Sequence, residues 1–204
     1  MKAKVVIIYY SSSGTTYRIA QAVEKGALDV GAETRLRRVK ESVPQEIIER
    51  NPGWAAHVLE TRAVPEATLE DLEWADAIVF GTPTRFGLPS SQLKQFIDSA
   101  GGLWAEGKFI NKVASSFVTT GTAHGGHEAT LLALNNTFYH WGALIVAPGY
   151  ADPIQFQSGN PYGTSFTSNN GTIRPDEVAL AAARFQGNRV AQLTARLVGA
   201  PVDA

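Results

Sequence analysis

The sequence contains no cysteine. That excludes disulfides, thiolate metal sites, cysteine nucleophiles and dithiol exchange, so any redox role must rest on a bound cofactor. It also lacks an excess of either charge. Lys and Arg number 18 against 19 Asp and Glu, a net charge of -1. Such a balance leaves no electrostatic footprint for nucleic acid or an anionic membrane surface. No apolar run approaches the roughly 18–20 residues that span a bilayer. The run behind Lys2 and Lys4 is short and leads into a string of hydroxyls. It reads as a buried strand rather than a signal peptide, and a cytoplasmic location is the expectation. Repeats, low-complexity stretches and a dividing linker are missing too. What remains is ordinary globular composition, 44% hydrophobic and 18% charged over 204 residues. This length suits one domain over 1–204, with excursions at about 41–64 and 148–173.

Residues 4–10, Lys-Val-Val-Ile-Ile-Tyr-Tyr, form a continuous apolar, β-branched run. Strands covered on both faces look like this, and they belong to parallel sheets. Helical spacing follows in Ile19, Ala20, Val23 and Ala27, and Gly31 ends the segment. Further strands are expected at 33–39, 77–80, 112–118 and 143–147. Helices are expected at 91–100, 128–140 and 179–197. The 41–70 stretch, with Pro44, Pro52, Gly53 and Pro65, reads as a short helix and a long irregular excursion. The stretch 148–173 reads as a long loop, a length that usually serves a function. Strands alternating with helices imply a parallel sheet with right-handed crossovers. Ligands of such sheets bind beyond the carboxyl ends of the strands. Three polar, glycine-bearing loops fall there, at 11–16, 81–89 and 119–126, and together they would build one site.

The first loop is Ser11, Ser12, Ser13, Gly14, Thr15 and Thr16. It joins a buried strand to a helix N-terminus, where unpaired N–H groups and a partial positive charge favour a phosphate. No Walker lysine is present, and the GxGxxG spacing is missing, which argues against nucleoside triphosphates and dinucleotides. A phosphate monoester held by neutral donors fits best. The bland alternative is an ordinary N-cap, but one cap does not require hydroxyls at five of six positions. A serine hydrolase is disfavoured, since no Gly-x-Ser-x-Gly elbow occurs. His124 and His127 stand at i and i+3, yet no third ligand accompanies them, so no metal site is expected.

Longer strings carry a resemblance. They include Tyr9-Tyr10-Ser11, Gly81-Thr82-Pro83-Thr84-Arg85-Phe86-Gly87, Gly101-Gly102-Leu103-Trp104 and Thr120-Gly121-Thr122-Ala123-His124-Gly125-Gly126. Pro161-Tyr162-Gly163 and Arg184-Phe185-Gln186-Gly187 continue it to the end of the chain. The sequence resembles the flavodoxin-like family, and more closely the WrbA-type NAD(P)H:quinone oxidoreductases. The resemblance implies a flavodoxin-like three-layer sandwich: a five-stranded parallel sheet, order 2-1-3-4-5, with helices on both faces. It also implies FMN as cofactor. The FMN phosphate would lie on Ser11 to Thr16, and the isoalloxazine ring along Pro83, Thr84, Arg85, Phe86 and Gly87. Thr119, Thr120, Gly121, Thr122, Ala123, His124 and Gly125 would close over the ring's other side. His140 matches a histidine that reaches the flavin from a neighbouring subunit. Trp104 matches a tryptophan beside the substrate pocket. The resemblance also implies a homotetramer, with flavin sites completed between subunits. Ser13 departs from the family, which usually carries a larger or aromatic residue there that contacts the nicotinamide nucleotide.

Read on their own chemistry, Arg85 is a surface arginine or a cation at the flavin edge, and the flanking Pro83 and Gly87 favour the second. Trp104 is a core residue or a loop platform. His140, beside Trp141, is by itself a helix-end histidine, and proton delivery by it or by water stays open. The expected activity is two-electron reduction of quinones by NADH or NADPH through FMN, in ping-pong order. Two alternatives are an electron-carrier flavodoxin and an FMN-binding redox-sensing interaction protein. The near-neutral charge balance disfavours a carrier that docks through an acidic face.

Overall fold

β1 (Lys4–Tyr9) shows why its run of apolar residues has no polar face. Val5, Ile7 and Tyr9 enter one core cluster, while Val6, Ile8 and the following Tyr10 enter another. Side chains alternate across a strand, so this one lies between two apolar layers. The computed structural model describes residues 2–199. Met1 and residues 200–204 of the expected 1–204 unit lie outside the described residues.

β2 (Glu33–Arg38) flanks β1 on one side and β3 (Ala77–Arg85) on the other. β3 turns back into β4 (Leu88–Pro89) and pairs on its outer side with β5 (Val113–Thr120). β6 (Leu144–Ile145) completes a parallel order β2-β1-β3-β5-β6. Counted over the parallel core strands, this is the expected 2-1-3-4-5. Helices cover both faces. α1 (Thr15–Asp29) and α9 (Glu177–Gly199) seal the face of Val5 and Ile7 through Ile19, Val23, Ala183 and Val190. α4 (Leu69–Trp74), α5 (Ser91–Ser99) and α7 (His127–Trp141) seal the other through Leu72, Leu93, Ile97, Leu134 and Phe138. α1 and α9 cross almost backbone to backbone. A Cβ on Gly26 would lie 1.9 Å from the Arg184 carbonyl oxygen, and one on Gly187 would lie 1.9 Å from that of Val23.

The structure departs from the sequence reading at several places. First, β3 runs on to Arg85 instead of stopping at Phe80. β1 stops opposite Gly81, so beyond it β3 is an edge on that side, where Pro83 loses no ladder bond. The chain then reverses at Phe86 and Gly87, both at positive φ (55° and 80°), the signature of a two-residue hairpin. Second, the excursion at 41–64 is mostly helical, forming α2 (Gln45–Glu49) and α3 (Pro52–Glu60). Pro52 opens α3, where a missing N–H costs nothing, and Asn51 caps it. Trp104, read as a loop residue, sits in the short helix α6 (Gly101–Ala105).

Third, the fifth strand position is divided. β6 pairs with Val113 and Ala114 alone. The chain leaves near Pro148, makes α8 (Pro153–Ser158), and returns as β7 (Ser165–Thr167) beside Val118–Thr120. Between the two half-strands, the Gln186 side chain takes up part of the missing pairing. Its Nε2 donates to the Ser116 carbonyl and to Ser115 Oγ, and its Oε1 accepts from the Thr164 N–H, each at 2.8 Å.

Candidate functional site

The carboxyl ends of β1, β3 and β5 face one cavity of about 300 Å³, at the small end of the range for ligand sites. Ser12, Ser13 and Thr16 line it from the first loop. Gly14 sits at φ 87°, a left-handed conformation that glycine adopts without strain, and it caps α1 with no side-chain bond. No acid stands in the first turn of α1. The first-turn N–H groups have no helical partner and no competing carboxylate, which is the arrangement that attracts an anion.

Three further sequence-predicted residues of the first loop serve its shape. Ser11 Oγ accepts from the Gly14 N–H at 3.1 Å, closing the turn. Thr15 is buried, 3.5 Å from Ser13 between their hydroxyls. Gly14 is buried with its back on His57. Thr16 Oγ1 lies 2.8 Å from Thr119 Oγ1, a buried hydroxyl pair that ties the first loop to the third.

Pro83, Thr84 and Arg85 line the cavity from β3. Thr84 is fixed to α7 by a 2.7 Å hydroxyl pair with Thr130. Among the described residues, Arg85 is the only charged side chain in the lining; its Nη1 donates to the Thr84 carbonyl at 3.0 Å. Phe86, at the hairpin tip, is fully exposed and outside the lining. Gly87 lies against Gly126, at 2.9 Å from where a Cβ there would stand, so the second and third loops touch. From the third segment, Thr119, Thr120 and Gly121 reach the cavity. Thr119 and Thr120 do so as the last residues of β5 rather than as loop. Thr122, Ala123 and His124 are exposed, and Gly125 folds back against Thr120.

His127 opens α7, with Nε2 2.6 Å from Thr120 Oγ1. Burial lowers its proton affinity. Among the described residues, no three His, Cys, Asp or Glu side chains gather as a metal set. Trp104 and His140 are joined by a 2.9 Å bond from Trp104 Nε1 to the His140 carbonyl. Both are exposed and line a separate depression with Lys94 and Asp98, away from the cavity.

Two walls of the cavity were not named from sequence. One is the start of α3, contributing Asn51, Gly53 and Trp54. The other is Ser168, Asn170, Gly171 and Thr172, just after β7. Ser168 anchors this second wall, its N–H and Oγ donating to the Thr120 carbonyl at 2.8 and 2.9 Å. The Asn169-Asn170-Gly171 string was the sequence signal for a tight turn there, and both asparagines sit at positive φ. A larger groove of about 990 Å³ runs between α1, α8 and α9. Its Arg18 and Arg184 are paired with Glu60 and Asp29, and it lies on the helical layer, away from the strand ends where ligands of parallel sheets bind. The smaller cavity at the strand ends is the better site on chemical grounds.

A doubly wound parallel sheet with an anion-ready helix N-terminus at its strand ends defines a flavodoxin-like protein. Residues 3–156 match the family of NADPH-dependent FMN reductases, and the chain belongs to that family. A Deinococcus radiodurans protein named NAD(P)H dehydrogenase (quinone) is 45% identical over 197 residues, 96% of this chain and 98% of its own. A Methylocella silvestris protein of the same name is 42% identical, over 97% of this chain and all of its own. Among solved structures, a flavodoxin, WrbA-like protein from Agrobacterium tumefaciens superposes with a TM-score of 0.68 at 28% identity, covering 95% of this chain and 98% of its own. No described helix is long and apolar enough to cross a membrane.

Proposed function

We propose that this chain is an FMN-dependent NAD(P)H:quinone oxidoreductase of the cytoplasm. The observation that carries the reading is the single cavity that joins the uncapped start of α1 to Thr119, Thr120, Pro83, Thr84 and Arg85. The residues fit FMN. First-turn N–H groups and the hydroxyls of Ser12, Ser13 and Thr16 would hold the phosphate. Pro83 to Gly87 and Thr119 to Gly125 would hold the ring between them. The chemistry FMN supplies when bound is two-electron transfer from NADH or NADPH to a quinone, giving the hydroquinone. Arg85, the only charged lining residue among those described, would favour an electron-rich flavin. The Thr16–Thr119 and Thr84–Thr130 pairs fix the loops before any ligand arrives, which is preorganisation.

We further propose a homotetramer in which Trp104 and His140 of one copy complete the flavin site of another. Their separation from the cavity within one chain supports this. Light scattering at working concentration is the check, and a monomer mass overturns the assembly. For the activity, FMN-loaded protein is mixed anaerobically with NADH or NADPH, followed by benzoquinone. Bleaching of the flavin and its recovery on quinone addition are the expected result. A loaded sample that neither nucleotide bleaches would overturn the enzyme and favour an electron carrier.

A further inference from the structure

Trp54 is the third residue of α3, and it lines the cavity with Ser12, Ser13 and Thr16. Its indole Nε1 is buried and has no hydrogen-bond partner. An indole N–H can only donate, and a buried donor left unpaired is destabilising. Such a group is explained either by a ligand that accepts from it or by a defect in packing.

The surroundings argue against a defect. Asn51 Oδ1 accepts from the Trp54 backbone N–H at 3.2 Å, fixing the start of α3. One turn on, His57 is buried, packs against Tyr17 of α1 in a tilted arrangement with ring centres 5.7 Å apart, and backs onto Gly14. Arg18 and Glu60 pair at 3.8 Å across the same two helices. α3 is thus seated on the very turn that presents the anion-binding N–H groups. Burial also lowers the proton affinity of His57, so no charge is supplied from that side. An anion in this cavity meets neutral donors almost everywhere, and each donor then counts for more.

We propose that Trp54 is a phosphate-recognising residue of the flavin site, its indole N–H donating to a phosphate oxygen of FMN. Helix α3 thereby makes this site selective for the phosphorylated flavin over riboflavin. This rests on the flavin-binding reading above and adds a residue outside the three loops to it.

The test titrates the full chain, stripped of flavin, with FMN and separately with riboflavin, following flavin fluorescence. Trp54→Phe keeps the ring and removes the donor. The expected result is a loss of about 10-fold in FMN affinity, in the range of a hydrogen bond to a charged acceptor, with riboflavin affinity unchanged. An equal loss for both flavins, or for neither, overturns the proposal. Wild-type protein that binds neither flavin would instead overturn the flavin site itself. As a check that does not depend on the variant's folding, indole N–H resonances of the wild-type protein are followed on adding FMN or riboflavin. One of the four tryptophan signals should shift downfield with FMN alone, and no phosphate-dependent shift overturns the proposal.

Discussion

Replacing Gln186 by leucine tests whether a side chain can stand in for a missing stretch of strand. Gln186 is 1% exposed and makes three bonds of 2.8 Å, to Ser116, Ser115 and Thr164. Leucine has nearly the same volume, so packing is largely kept and the loss is polar. Ser115 Oγ keeps its bond to the Val146 carbonyl. The Thr164 N–H and the Ser116 carbonyl are left buried without these partners, at about 1–3 kcal/mol each. The expected destabilisation is about 2–5 kcal/mol, and at roughly 2–4 °C per kcal/mol for a chain of this size the melting temperature falls by about 5–15 °C. Urea unfolding followed by circular dichroism reads the free energy directly. Gln186→Glu sharpens the test. It keeps the acceptor for Thr164 but sets a carboxylate against the Ser116 carbonyl, so it should destabilise at least as much at pH 7 and recover in acid. A Gln186→Leu loss below about 0.5 kcal/mol, the usual surface range, would refute the reasoning.

Three other perturbations follow from contacts already described. Gly187→Ala drives a methyl to 1.9 Å from the Val23 carbonyl oxygen, where backbone cannot yield cheaply, and should destabilise by more than about 2 kcal/mol in the same unfolding assay. Asp71 is buried and bonded to Arg35 and Arg37 at 2.9 and 3.0 Å. Burial pushes its carboxyl up, but the Thr68 N–H and the two arginines outweigh this and hold it below the usual value. Its stabilisation is therefore present above the unfolded-chain pKa of about 3.9 and is lost as pH falls through the lower folded value. Asp71→Asn should lose about 2 kcal/mol at pH 7, a gap that narrows below about pH 4 in pH-dependent melts. Thr16→Val removes the hydroxyl pair with Thr119 and one proposed phosphate donor, and should weaken FMN binding by roughly 10-fold in a fluorescence titration.

The alternation of apolar strands and helical spacing made the layered sheet legible, because burial on both faces leaves a run like 4–10 no other role. The first loop was legible as a turn into a helix start, which the structure forms at Gly14, because hydroxyls and a glycine between a buried strand and a helical pattern suit that junction. What escaped was everything decided by long-range pairing. Gly81 and Pro83 read locally as breakers, yet Pro83 lies where β1 has already ended. Ala143 to Ala147 read as one strand, yet only two residues of it pair. Trp54 and His57 fall in the stretch read as irregular; their place beside the first loop depends on α3 folding back over α1, which no local pattern encodes. The separation of Trp104 and His140 from the cavity was likewise invisible in spacing.

The divided fifth strand has one more consequence. Both ends of the 146–164 segment are tethered to the same strand, Val146 to Ala114 at one end and Thr164 to Val118 at the other. Length and sequence inside it can therefore change without moving either tether, as long as the Gln186 bridge persists. The cavity wall at 168–172 hangs from the second tether. Natural variation in the segment can thus reshape the protein's outer surface while the cavity keeps its dimensions.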